Sequence, residues 1–350
     1  MSDFLPHYIS LIVTTVTHET HDVKTFGLTR ADGSPLDYKP GQFVTLSFKN
    51  GNKEYRRSYS FSSCPALNEQ ASITVKRVDN GTFSRFMHDN VQPGYLLLSS
   101  GIGGFFTLPQ NTAQYKRYVF YAAGVGITPV LPMIKTLLHE NSSTYIVLFY
   151  SNSSPIDVLF IDALQQLQQS FEDRFEIEFL YSNSFNLARA RLSKSLVRVL
   201  LKEYNITETT DCIFYICGPY SYMRMVTYAL QEAGVKSEQI HKENFNTTDR
   251  INSLPQPPDV QTHTAIIHYK QLTHHILVSY PDSILQAAKR YGLLLPYSCE
   301  VGRCGSCAAI CTEGKVWHSY NEVLMDVELK KGCVLTCTGH PLSGDIAITI

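Results

Sequence analysis

From Tyr8 to Ser99, apolar and polar positions alternate in short runs broken by turns. Tyr8 to Thr17, Val23 to Thr29, Gln42 to Phe48, Tyr55 to Ser62, Ala71 to Val78 and Tyr95 to Ser99 each read as a strand. One helix, Phe83 to Asn90, interrupts them, and Pro93-Gly94 turns the chain into the sixth strand. Six strands with one helix predict a small antiparallel β-barrel over residues 1–110. From Tyr118 the rhythm changes. Tyr118 to Ala123 is apolar throughout, and Tyr145 to Tyr150, Phe175 to Leu180 and Cys212 to Cys217 repeat that buried-strand pattern. Helices fall at Thr128 to His139, Phe160 to Phe171, Ser193 to Leu201 and Ser221 to Ala233. The first should have Thr128 as its N-cap and Pro129 at the first helical position. Strand and helix in alternation predict an α/β parallel-sheet domain over 111–246. Residues 247–261 are polar and proline-rich and read as a semi-rigid linker. A third domain, 262–350, opens with a hairpin from Thr262 to Ser279 and a helix from Ser283 to Tyr291.

Composition narrows the class. A chain of 350 residues with 44% apolar content suits two or three soluble domains. The net charge of −1 gives no reason to expect nucleic acid. Met1 to Pro6 lacks the basic start and apolar run of an export signal, and the longest apolar runs are strand-length, so no membrane span is expected. Nine cysteines without an export signal point to a reducing, cytoplasmic setting and to metal or redox chemistry.

Four of those cysteines carry the chemistry. Cys299, Cys304 and Cys307 follow C-x4-C-x2-C, and Cys337 lies thirty residues on, the spacing of a plant-type [2Fe–2S] cluster. Gly302 and Gly305 suit a tight loop that turns backbone N–H groups toward the sulfurs. Other readings fit less well. A structural zinc site needs two C-x2-C pairs, and a thioredoxin-like pair has no use for Cys299 and Cys337. A Rieske centre needs a C-x-H that the chain lacks, although Cys337-Thr338-Gly339-His340 supplies the other half. The remaining thiols, Cys64, Cys212, Cys311 and Cys333, read as packing, the last two as core thiols.

Four upstream motifs are ambiguous singly. Arg57-Ser58-Tyr59-Ser60 puts a guanidinium and a phenol on one strand face, suited to a phosphate and a flat ring, or is an ordinary amphipathic strand. Asn80-Gly81-Thr82-Phe83-Ser84 offers free N–H groups and a hydroxyl to an anion, or is a simple helix cap. Gly124 and Gly126 open a pyrophosphate-binding turn without the full dinucleotide fingerprint, because Pro129 stands where a third glycine belongs. Cys217-Gly218-Pro219 ends a buried strand, where parallel sheets bind ligands, or is a small thiol before a turn.

In this order, and with the cluster downstream, the motifs resemble the ferredoxin–NADP reductase family, in particular its members with a C-terminal ferredoxin domain that serve oxygenases, epoxidases and hydroxylases. The resemblance covers nearly the whole chain. It implies an FAD-binding barrel, a nucleotide domain and an α+β (β-grasp) ferredoxin domain. It assigns Arg57 to flavin pyrophosphate, Tyr59 to the isoalloxazine and Ser60 to its N5 edge, with Ser58 between them. Val75, Lys76 and Arg77 match the strand beside the cofactor's ribose and phosphates, and Gly81 and Ser84 a second phosphate contact. Gly124, Gly126 and Thr128 match the nicotinamide-dinucleotide loop, and Cys217, Gly218 and Pro219 its nicotinamide side. Glu243 and Phe245 match an acidic-x-aromatic segment at the flavin. Tyr59, Ser60, Cys217 and Phe245 would then border the hydride path, with Cys299, Cys304, Cys307 and Cys337 as cluster ligands.

The implied activity is electron transfer from NAD(P)H through FAD and [2Fe–2S] to a metalloprotein acceptor such as an oxygenase component, from a chain that is monomeric by itself. Tyr181-Ser182-Asn183 and Ser151-Asn152-Ser153 lack the arginines of NADPH-preferring relatives, which favours NADH, with NADPH possible through the nearby Arg189 and Arg191. Two alternatives remain: a reductase for another metalloprotein, such as a hybrid-cluster protein, and a non-catalytic flavin and iron–sulfur redox sensor.

Overall fold

Alternating β-branched and aromatic residues bury one face of a sheet against itself, and the first hundred residues do this as six antiparallel strands. The computed structural model describes residues 8–50, 53–141, 143–206, 208–245 and 255–350. The strands are β1 (Ile9–Thr20), β2 (Val23–Arg30), β3 (Phe43–Asn50), β4 (Lys53–Ser60), β5 (Ser72–Lys76) and β6 (Leu96–Gly103), in the order β4-β3-β6-β1-β2-β5. A bridge between Phe61 and Ile73 joins the chain after β4 to β5, closing the sheet into a barrel. Leu11, Val13, Phe26, Val44, Leu46 and Val75 fill it, none of them exposed. Helix α1 (Thr82–Asn90) seals one end with Phe83 and Met87.

The nucleotide domain follows from strands that are apolar on both faces. β7 (Arg117–Ala123), β8 (Tyr145–Asn152), β9 (Phe175–Tyr181) and β10 (Cys212–Cys217) pair in parallel. A fifth strand, β11 (Ile240–Glu243), extends the sheet beyond β10, giving the order β11-β10-β7-β8-β9. Nothing in Ile240-His241-Lys242-Glu243 has an apolar period, so the strand was illegible beforehand. Helices α2 (Val130–Glu140) and α3 (Ile161–Ser170) cover Tyr118, Phe120 and Leu148 on one face. After the short α4 (Leu187–Ala190), α5 (Lys194–Glu203) and α6 (Tyr220–Glu232) cover Tyr121, Phe149 and Phe214 on the other.

One helix start differs from expectation. Residues 124–127 wind into a 3-10 turn, and the Thr128 hydroxyl donates to the Val125 carbonyl at 3.0 Å instead of capping a helix. α2 therefore begins at Val130, with Pro129 as an N-cap without a side-chain hydrogen bond.

The third domain is a five-stranded mixed sheet. Its strands are β12 (His263–Tyr269), β13 (Leu272–Val278), β14 (Ala308–Glu313), β16 (Cys333–Leu335) and β18 (Ile346–Thr349), ordered β13-β12-β18-β14-β16. A separate pair forms from β15 (Val316–His318) and β17 (Gly339–Pro341). Helix α7 (Ile284–Arg290) starts in a reciprocal cap between Ser283 and Gln286, and α8 (Asp326–Lys330) precedes β16. Of the expected linker, 247–254 lies outside the described residues. Asp259 is already tied to the third domain, accepting from the Gln261 and Ser343 backbone N–H groups and contacting His263 Nε2. Among the described residues, no helix is long and apolar enough to cross a membrane.

Gly126 sets how closely the β7 turn meets the end of β10. A Cβ there would lie 2.2 Å from the Cys217 carbonyl oxygen, a clash with backbone that no rotamer relieves. Gly126→Ala should therefore lower unfolding free energy by about 2 kcal/mol in urea titration. Unchanged stability would mean that the two turns are free to separate.

Candidate functional site

β4 lies at one end of the barrel sheet's strand order and its side chains alternate between two surroundings. In register, Arg57 and Tyr59 oppose Leu46 and Val44, whereas Arg56, Ser58 and Ser60 oppose Ser47, Thr45 and Phe43. The two sets point to opposite faces. Arg57 is exposed and donates to the Arg56 carbonyl at 2.7 Å; among the described residues it has no carboxylate partner. The Tyr59 ring meets Phe83 of α1 at 5.9 Å. Gly81 caps α1 without a side-chain hydrogen bond, so the helix's first N–H groups remain available to an anion. A free guanidinium, an aromatic ring and an uncapped helix end suit the pyrophosphate and flat ring system of FAD.

The neighbouring motif residues are more committed. The buried Ser84 hydroxyl accepts from the Val78 N–H at 3.1 Å and donates to the Gly81 carbonyl. The motif therefore offers backbone donors, not this hydroxyl. Val75 belongs to the barrel core, and its carbonyl pairs with His88 Nε2 at 2.8 Å. Lys76 pairs with Asp22 and Arg77 with Asp89, both at 3.2 Å.

A cleft of 1130 Å³ opens between the barrel, at Val23 and Lys76, and the carboxyl ends of the parallel strands. Gly124, Gly126, Gly218 and Pro219 line it. Thr128 and Cys217 do not; they are 2% and 0% exposed. Burial pushes the Cys217 thiol well above its ordinary pKa, so it stays protonated. Arg189 is occupied by Glu178 and Glu203, while Arg191 borders the cleft near Ser153 and Ser182.

A smaller cavity of 90 Å³ lies where the three domains meet. Arg57, Ser58 and Ser60 approach it from the barrel, Glu243 from the nucleotide domain, and Cys304 from the third domain. Phe245 lines both this cavity and the cleft. Glu243 Oε1 is 3.5 Å from the Ser60 hydroxyl, and its buried Oε2 has no partner among the described residues. Burial pushes this carboxyl up to about 8. His241 stacks on Tyr215 with centroids 4.9 Å apart, and burial lowers its pKa to about 4, so the imidazole is neutral at pH 7. Glu322 accepts from Arg303 Nε at 3.1 Å, from the Tyr320 hydroxyl at 2.8 Å and from Asn244 at 3.0 Å, joining the nucleotide domain to the cysteine loop. His241 and Glu322 went unmarked in the sequence because neither sits in a motif; only burial at the junction distinguishes them.

The four cysteines converge. The thiols of Cys299 and Cys304 hydrogen-bond to each other, as do those of Cys307 and Cys337, and the two pairs are close enough to interact electrostatically. Backbone N–H groups of Val301, Arg303 and Cys304 donate to the Cys299 sulfur, the first at 3.5 Å. Gly302 has φ +74°, and a Cβ on it would lie 2.6 Å from the Tyr320 carbonyl oxygen. Four free thiols among inward N–H donors suit a [2Fe–2S] cluster. Cys311 and Cys333 stand apart on β14 and β16. Both are only partly buried and pack against the edge of the third domain's core, not within it as expected.

Comparison with known proteins gives three family matches in series. An oxidoreductase FAD-binding domain matches residues 10–107, an oxidoreductase NAD-binding domain 120–228, and a 2Fe-2S iron-sulfur cluster binding domain 267–342. The ferredoxin reductase component of 3-ketosteroid-9-alpha-monooxygenase from Mycolicibacterium smegmatis is 30% identical, over 98% of this chain and 97% of its own. A component of the 1,2-phenylacetyl-CoA epoxidase of Escherichia coli is 31% identical, over 97% and 96%. The solved structure of phthalate dioxygenase reductase shares the fold with a TM-score of 0.61 and 23% identity, over 98% of both chains.

Glu243 makes stability depend on pH. Its folded pKa of about 8 exceeds the ordinary 4.5, so the neutral form is favoured in the fold and stability is lost as pH rises between those values. Glu243→Gln removes that loss. In urea unfolding at pH 5 and pH 8.5, the variant should gain on wild type by about 4 kcal/mol across the interval. A pH-independent difference would mean that the carboxyl is hydrated.

Proposed function

The chain belongs to the ferredoxin–NADP reductase family, in the branch with a C-terminal plant-type [2Fe–2S] domain, and from that premise we infer that it is the reductase component of an oxygenase system. It moves electrons from NAD(P)H through FAD and [2Fe–2S]; the acceptor, by analogy with the ketosteroid and phenylacetyl-CoA relatives, is a separate oxygenase-type metalloprotein. One observation carries this reading: β4 touches the nucleotide domain through Ser60 and Glu243 and the cysteine loop through Ser58 and Ser298. Nine free thiols fit a reducing, cytoplasmic setting.

FAD held here would supply hydride acceptance and single-electron release, the chemistry that a [2Fe–2S] centre requires. The chain's own residues position the parts. Arg57 and the α1 N-terminus would hold the pyrophosphate, and Tyr59 would support the ring system. Ser60 and Glu243 line the junction cavity beside it, and Phe245 stands between that cavity and the cleft. Gly124, Gly126, Gly218 and Pro219 let the nicotinamide nucleotide approach backbone. Cys217 acts through packing and shape, since its thiol is buried and neutral.

The expectation of NADH rested on missing arginines. Arg191 supplies one. It borders the cleft near two serine residues and has no carboxylate partner among the described residues. A guanidinium in a cleft that serine residues also line suits a 2′-phosphate, so the cleft accepts NADPH as well as NADH.

Two measurements test the reading. In stopped flow with either nucleotide, flavin absorbance should bleach before that of the cluster. Cys337→Ser should lose iron and the second phase while keeping the first; cluster reduction in a flavin-free preparation would contradict the order. Arg191→Ala should lower kcat/KM for NADPH about tenfold and leave NADH within about twofold. Equal losses for both would remove Arg191 from the 2′-phosphate.

A further inference from the structure

A flavin-side strand and a cluster loop in separate domains exchange electrons only as fast as their separation allows, so something must hold them together. Arg56 stands on the β4 face opposite Arg57 and Tyr59. Its side chain is 3% exposed, and Nε donates to Glu54 Oε1 at 2.7 Å. That oxygen also accepts from the Ser47 and Tyr8 hydroxyls at 2.6 and 2.7 Å, so Arg56 is oriented before any partner arrives. Its guanidinium carbon lies 4.0 Å from the ring centroid of Tyr297, two residues before Cys299. Lys289 Nζ, itself paired with Glu300 at 2.7 Å, lies 3.6 Å from the same centroid. One ring thus engages a cation from each domain.

A second contact is apolar. Phe105, just after β6, packs with the core of the third domain. A Cβ on Gly305, between Cys304 and Cys307, would lie 2.9 Å from the Phe105 ring. The glycine therefore admits a barrel side chain onto the cluster loop. Between these two points small hydroxyls also meet, Ser58 to Ser298 at 3.0 Å and Thr45 to Ser306 at 3.3 Å. Such contacts fit complementary surfaces without binding them strongly.

We propose that Arg56, Tyr297 and Phe105 form a two-point clamp that seats the cluster loop on β4 and fixes the flavin-to-cluster distance. The clamp rests on the reductase reading. Its three residues are positioning residues: Arg56 points away from Arg57 and Tyr59, the pair assigned to the flavin's pyrophosphate and ring, and none of the three is a cluster ligand. An interface of this mixed kind within one chain is also reversible, which leaves the loaded domain free to undock toward an acceptor.

The test uses the holoprotein with Tyr297→Leu, Tyr297→Phe, Phe105→Ala and the Tyr297→Leu/Phe105→Ala double variant. Iron content and the visible spectrum first establish that both centres are loaded. In stopped flow with NADPH, the flavin phase should stay within about twofold in all variants. The cluster phase should slow about tenfold in Tyr297→Leu, more in the double variant, and recover in Tyr297→Phe, which keeps the ring that the cations need. The cluster midpoint potential should not move. Small-angle X-ray scattering of the full-length holoprotein should show a larger radius of gyration for the double variant than for wild type. Flavin and cluster phases slowed alike, or an unchanged cluster phase with unchanged scattering, would overturn the clamp. If wild type reduces no flavin with either nucleotide, the reductase reading fails while scattering still decides the clamp.

Discussion

A β-strand sends successive side chains to opposite faces, and in β4 both faces are working surfaces. Arg57 and Tyr59 look toward the helix end at α1, while Arg56 and Ser58 look toward the cysteine loop. One strand thickness therefore separates the contact of Tyr59 with α1 from the contact of Ser58 with the cysteine loop. A slip of one residue in the pairing with β3 would exchange the two sets. The Phe61–Ile73 bridge, which closes the barrel, and the buried Val44 and Leu46 opposite β4 oppose that slip.

The three-domain junction carries an electrostatic cost that packing alone does not repay. Glu243 buries Oε2, which has no partner among the described residues, and its hydrogen bond to Ser60 is long. Burial keeps the carboxyl protonated near neutral pH, the state of lower cost in a low-dielectric pocket. Glu322, which lines the same cavity, has the opposite solution: three donors satisfy it, and its charge is matched by Arg303. At the same boundary one carboxyl is left short of donors and the other is tied to three, which concentrates the polar contacts on the third domain.

Much of the architecture was legible because its signals are local. Period-two alternation located the six barrel strands, continuous apolar runs located β7 to β10, and the cysteine spacing located the cluster loop, since ligand spacing is dictated by metal geometry. The failures were also local in origin. Thr128 looked like an N-cap until the glycines before it wound into a 3-10 turn that used its hydroxyl. Ser84 looked like an available hydroxyl until the preceding turn consumed it. β11 has no periodicity to read, because its pairing with β10 and not its composition makes it a strand.

By itself the sequence determined three domains in order and the grouping of the four cysteines, because these follow from patterning and from fixed ligand spacing; the cofactors of the first two domains entered through the family resemblance. Only the tertiary structure decided which faces meet. That Arg56 and not Arg57 turns to Tyr297, that Phe105 enters the third domain at Gly305, that Arg191 and not Arg189 borders the cleft, and that Glu243 is shut away from water are all contacts between residues far apart in the chain. Such contacts depend on how whole sheets dock, and no short window of sequence contains the surfaces that dock.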